Sequence, residues 1–258
     1  MTPLIRRGRI AEASERPDDS RVSSDIPRQA ARRRLIRFVG LGIAAYVVAM
    51  VATIPAGAIV ERGAWRTGVG GTVWNGEVGL AGGSVLSWEW APLRSLVSLA
   101  FAADWNAKGA ATNLGGRALI GPSSTTVDAM TGSSDGTLLQ AIQPDLPFVC
   151  DMTMQLDFPK ARLGGSVQMV EGQLLTDPGS CRPKAGGVAT PVPALVLTAN
   201  HVGDRSTMTL APATQRRRTL MTMVLGGDGT VDVQLTPEGA AVLPFVGLPP
   251  GGSIRGKI

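Results

Sequence analysis

After residue 60 the chain is dominated by alternation of apolar and polar positions. The clearest run is Asp151-Met152-Thr153-Met154-Gln155-Leu156-Asp157-Phe158, apolar at every even position and polar at every odd one. A period of two sends one set of side chains to a buried face and the other to water, which predicts a half-buried strand. Ser84–Trp90 repeats the pattern with Leu86, Trp88 and Trp90 on one face, and so do Val97–Trp105, Leu195–Ala199 and Thr230–Thr236. Turn-forming clusters separate these runs at Ala81-Gly82-Gly83, Asn113–Gly116, Asp177-Pro178-Gly179, Lys184–Gly187 and Gly226–Gly229, as expected of hairpins. Helix is predicted in two short places, Asp135–Ile142 and Pro237–Leu243; proline at position 237 suits a first helical turn. The fold class that follows is all-β and mainly antiparallel, an elongated curved sheet or a partly open barrel.

One segment breaks the pattern. Phe38 to Val60 is 23 residues without a charge, enough at about 1.5 Å per residue to cross a hydrocarbon core of about 30 Å. Arg32, Arg33, Arg34 and Arg37 precede it directly, whereas Glu61 and Arg62 cancel directly after it. The positive-inside rule then leaves the N-terminus in the cytosol and carries the rest across the membrane. A rival reading takes Arg32-Arg33-Arg34-Leu35-Ile36 as a twin-arginine export signal with Ala56-Gly57-Ala58 as its small-residue cleavage site. The apolar stretch exceeds the usual 7–15 residues of a signal core, and the retained anchor is the preferred reading. The organisation expected is a basic, disordered cytosolic tail over 1–37, a single transmembrane helix over 38–60, a β-rich domain over 61–246 and a loose C-terminal tail over 247–258. Met1–Gln29 is too poor in apolar residues to fold alone.

Net charge changes meaning once it is located. The +5 of the chain lies wholly in residues 1–37, where ten arginines face five acids; residues 38–258 carry 15 basic and 15 acidic side chains. A neutral domain lacks the concentrated basic face that displaces counterions from phosphates, so no nucleic-acid partner is expected. Arg216-Arg217-Arg218 is its one basic run, read as a solvated hairpin tip, with an acidic partner or anionic lipid as the alternative.

Candidate chemistry is sparse. Cys150 and Cys181 form an even pair in a domain placed outside the cytosol, which reads as one disulfide, with two free buried thiols as the alternative. With neither in a CxxC pair and His201 the one histidine, zinc is not expected. A Ser-His-Asp site would rest wholly on His201, at the end of a predicted strand, and the chain holds no GxSxG elbow and no GxxxxGK[ST] loop. No catalytic residue, no cofactor, no metal site and no small-molecule substrate is assigned; an enzyme is not expected.

All five tryptophans, at 65, 74, 88, 90 and 105, lie within about 45 residues after the apolar segment. Trp65 is placed at the membrane interface and Trp74 and Trp105 in the core, while Trp88 and Trp90 offer a partner surface. Gly71-Thr72-Val73-Trp74-Asn75-Gly76 followed by Leu86-Ser87-Trp88-Glu89-Trp90-Ala91-Pro92-Leu93 resembles the opening of the type II secretion system protein N family, and Phe158–Gly172 is similar to that family's second half. The resemblance extends over about residues 40–240 and involves no reactive residue. It implies an accessory, non-catalytic component anchored in the cell inner membrane with a periplasmic domain, whose partners are other secretion-system subunits. The alternative is an inner-membrane-anchored β-scaffold for lipid or lipopolysaccharide, AsmA-like, which needs a continuous apolar trough along the sheet. A third class, a cleaved periplasmic enzyme, needs a cleft around His201.

Overall fold

The computed structural model describes residues 25–257 except 61, 64 and 166, and the chain divides after Ala52 into two compact units. Among the described residues the first is one helix, α1 (Asp25–Ala52). Its stretch Arg32–Ala52 is long and apolar enough to cross a membrane, and its side chains are exposed throughout. Both ends of α1 differ from the predicted span of 38–60. Asp25–Arg37 is helical rather than part of a disordered tail, because Gln29, Ala30, Ala31, the arginines and Leu35 are good helix formers. The rest of that predicted tail, Met1–Ser24, lies outside the described residues. The helix stops at Ala52 because Pro55 has no N–H for the ladder and biases Ile54 toward extended backbone.

In the second unit Pro55 bridges Thr72, and Val73 N–H donates to the Ile54 carbonyl at 3.0 Å. Ala56–Ala58 form a 3₁₀ turn in which Ala56 is fully buried and packs, while Gly57 and Ala58 are exposed. We expect the anchor to be retained: mass spectrometry of the membrane-bound protein should find no mature N-terminus near Ile59.

The unit is built on antiparallel hairpins. β1 (Arg66–Gly71), β2 (Asn75–Leu80) and β3 (Val85–Trp90) lead through a short helix, α2 (Pro92–Ser98), into β4 (Phe101–Lys108), β5 (Asn113–Ile120) and β6 (Ser124–Asp135). Helix α3 (Gly136–Ile142) and β7 (Phe148–Asp151) precede β8 (Thr153–Gly164) and β9 (Met169–Thr176). Next come β10 (Gly179–Pro183), β11 (Thr190–Val192), β12 (Leu195–Val202), β13 (Arg205–Pro212), β14 (Met221–Gly226) and β15 (Thr230–Leu235), then α4 (Pro237–Val242) and β16 (Ser253–Lys257). Thirteen strands form one open sheet in chain order, with β1 and β16 at its edges, and β11-β10-β7 form a separate three-stranded sheet. The class is mainly antiparallel β, as the period-two pattern predicts.

Two apolar clusters hold the unit together. Val78, Leu80, Ala107, Leu114 and Leu138 make one, which joins the sheet to α3. Leu195, Leu220, Leu235, Leu243 and Phe245 make the other with Cys181 and Val192 of the small sheet. Both predicted short helices are present. Asp135 caps α3 by accepting from Thr137 N–H at 3.2 Å, and Thr236 caps α4 by accepting from Gly239 N–H at 2.9 Å, each satisfying an N–H with no partner inside the helix.

Four local expectations fail, each for a visible reason. Val97–Trp105 is not one strand. Ser95 Oγ accepts from Trp90 Nε1–H at 2.8 Å and Ala102 N–H at 2.9 Å and donates to the Ala91 carbonyl at 3.0 Å, which fixes α2 between β3 and β4. Leu99 closes that helix in the left-handed region, φ 49°, and the alternation starts only at Phe101. Asn113–Gly116 lies inside β5 and is not a turn; a Cβ at Gly116 would meet the Trp105 ring at 3.0 Å, so glycine there makes room for tryptophan. The run Asp151–Phe158 spans two sheets, changing from β7 to β8 at Met152. The C-terminal tail contains β16, which pairs with β15 from Gln234↔Ser253 to Thr230↔Lys257.

Candidate partner surface

Strand register separates the large sheet into two chemically distinct faces. On one, Val78, Leu86, Ala107 and Leu114 are successive cross-strand partners from β2 to β5. The same row reaches β6 at Gly132 and continues through Leu156, Leu174, Leu197 and Leu210 to Met221 and Leu235. The opposite face carries a polar row of equal length: Glu77, Ser87 and Asn106, then Thr131, Asp157 and Gln173, then Thr198, Thr209, Thr222 and Gln234. One alternation repeated in register over every strand produces this segregation.

Charges of both signs run across the polar face. Glu89, Asp104, Arg117, Asp128, Lys160 and Glu171 are consecutive partners from β3 to β9. Opposite charges directly across antiparallel strands attract, and Lys160, Asp104 and Arg117 stand in solvent. Beside them Asn75, Glu77, Ser87, Glu89, Asp104 and Asn106 line an open groove of about 490 Å³. Sequence reading missed this row because its members are scattered over some 80 residues and acquire a common address only through register.

The tryptophans divide differently from expectation. Trp88 packs into the cluster around Val78, lies opposite Trp105, and donates from Nε1 to the Val73 carbonyl at 2.9 Å. Trp90 is 36% exposed and meets the Trp74 ring at a tilt of 56° and a centroid distance of 4.7 Å. Of the proposed pair, Trp90 is the one with surface to offer. Trp65 packs in the cluster with Val78 and lies at the far end of β1 from Trp74, where its carbonyl accepts from Ala81 N–H at 2.7 Å.

Cys150 and Cys181 form a disulfide between register partners of β7 and β10. It covers the cluster around Leu235. His201 ends β12 with its Nδ1 3.0 Å from Ser206 Oγ, and Ser206 also accepts from Val170 N–H at 2.9 Å. Gly226–Gly229 is the β14–β15 turn, where the Asp228 carboxylate accepts from Thr230 N–H at 3.0 Å and Thr230 Oγ at 2.8 Å. These two bonds hold the Asp228 carboxyl below its ordinary range. In the Arg216–Arg218 run, Arg218 pairs with Glu238 at 2.7 Å. Among the described residues no three of His, Cys, Asp and Glu gather as metal ligands.

No protein-family model, curated protein or solved structure matches this chain.

Proposed function

We propose that this chain is a non-catalytic accessory component of the type II secretion machinery, anchored in the inner membrane by α1, with its sheet domain in the periplasm. There it assists export of folded proteins through contacts with other secretion-system subunits. The observation that carries the reading is the polar face: a row of charges of both signs in register across six strands, with Arg117 and Lys160 in solvent. Mixed-sign rows of this kind specify a complementary partner by charge register and steer its approach. The resemblance of residues 71–76 and 86–93 to the protein N family supplies the identity of the machine.

The test is co-purification of the full chain with secretion subunits from native membranes. Arg117→Gln with Lys160→Gln is expected to weaken that association by roughly tenfold, about 1.4 kcal/mol, and to lower secretion, since both cations are then lost from the interface. Both side chains are exposed, so folding should persist. Undiminished association in the folded double variant would show that the polar face is not the contact. His201→Ala is expected to leave secretion unchanged; a folded, inserted His201→Ala protein that fails to secrete would point to a catalytic site instead.

A second reading has its own observation. The apolar row over β9, β12 and β13 (Leu174, Leu197, Leu210) is half-buried rather than sealed, the property a scaffold for lipid or lipopolysaccharide needs. Mass spectrometry of organic extracts separates the two: a stoichiometric acyl lipid on the purified chain favours this second reading.

A further inference from the structure

Helix α2 presents its apolar side chains to solvent. Leu93 is 78% exposed, Leu96 71%, Val97 89% and Leu99 89%, where a helix on a folded domain ordinarily turns such residues to the core. Its one charged residue, Arg94, turns back to Asp104 at 3.1 Å and leaves the outer face apolar. Continuous exposed apolar surface of this kind marks a contact.

Its place in the fold identifies the partner. Helix α2 joins the end of β3 to the start of β4, on the same rim of the sheet as the β1–β2 turn and the end of β5, where Ile120 is exposed. At that β1–β2 turn the domain receives its chain: Pro55 bridges Thr72, Val73 binds Ile54, and Thr53 directly follows the last residue of α1. From β2 to β4 is two strand spacings, about 10 Å. Trp74 and Trp90 meet on this rim, and tryptophan favours the boundary between headgroups and acyl chains. The opposite rim carries the two sealed clusters.

We infer that the rim formed by α2, Trp90 and Ile120 inserts into the interfacial layer of the bilayer that α1 spans, giving the domain a second, non-covalent membrane contact. The partner is a phospholipid surface. Interfacial helices seat their apolar side chains about 5–10 Å into that boundary, and the short link from Ala52 to the rim keeps the contact intramolecular, at high effective concentration. The inference rests on reading α1 as a membrane span and does not depend on the secretion role.

The experiment uses the full chain reconstituted in vesicles of phosphatidylethanolamine and phosphatidylglycerol doped with a phospholipid bearing a diazirine on its acyl chain. After illumination, mass spectrometry is expected to find label in α1 and in peptides carrying Leu96–Leu99. A triple variant, Leu93→Ser, Leu96→Ser and Val97→Ser, is expected to lose α2 label by roughly tenfold with circular dichroism and the disulfide unchanged. Label in α1 with none in α2, or α2 label that survives the triple variant, overturns the inference and leaves the span intact. Cross-links joining α2 of two copies in place of lipid label overturn it in favour of self-association. Absence of label in α1 overturns the span reading itself.

Discussion

Trp88→Ala is expected to destabilise the sheet domain by about 3 kcal/mol, and Trp90→Ala by about 1 kcal/mol. Truncating Trp88 removes a half-buried ring packed in the cluster around Val78 and leaves the Val73 carbonyl without its 2.9 Å donor; a core tryptophan cut to alanine costs about 3–5 kcal/mol, and partial burial puts Trp88 at the lower end. Trp90 loses its contact with the Trp74 ring and the hydrogen bond to Ser95, and an aromatic pair contributes about 0.5–1.5 kcal/mol. Urea unfolding of the two variants, followed by circular dichroism, measures both. The reverse order of stability would mean that Trp88, not Trp90, is the surface residue. The difference also decides how a partner contact through these rings should be tested: Trp90→Ala alone probes a surface, while any variant at Trp88 reports on folding first.

Loss of the disulfide is the other large effect. Cys150→Ala with Cys181→Ala is expected to lower stability by about 3–4 kcal/mol, because the bond closes a loop of 31 residues and removes that freedom from the unfolded chain. The loop contains the whole β8–β9 hairpin, and Cys181 is itself buried in the cluster with Leu220 and Leu235. The small sheet that covers this cluster should loosen first, exposing Phe148 and Phe245, which meet edge to face at 5.1 Å. Thiol labelling of the denatured, unreduced protein should find neither cysteine; two labelled thiols would refute the pairing.

Much of the architecture was legible from the chain because alternation is a local property. The β runs of residues 84–90, 195–199 and 230–236, the two short helices, and the apolar segment whose residues 38–52 fall in α1 each depend on neighbours a few residues apart. The even cysteine pair pointed to the disulfide through parity, which needs no geometry, and the pairing of β7 with β10 brings the two residues together. The end of α1 was less so, since absence of charge continues to Val60 while the helix ends at Ala52 before Pro55.

The candidate surfaces belong to tertiary structure. Sequence distance placed Trp65 beside the membrane and Trp74 away from it, but β1 lies between them, and a six-residue strand carries the chain about 20 Å. The chain enters at the β1–β2 turn and runs past Val60 to Trp65 before β1 returns, so Trp74, later in sequence, sits on the rim where the chain enters. Alternation assigned Val97 and Leu99 to a strand because it registers polarity alone; hydrogen bonds from Trp90 and Ala102 to Ser95 turned that segment into a helix with its leucines outward. The charge row from Glu89 to Glu171 likewise exists only once six strands are in register. Periodicity along the chain determined which side chains share a face, and long-range pairing decided which of them meet, because register is set between strands and leaves no mark within any one of them.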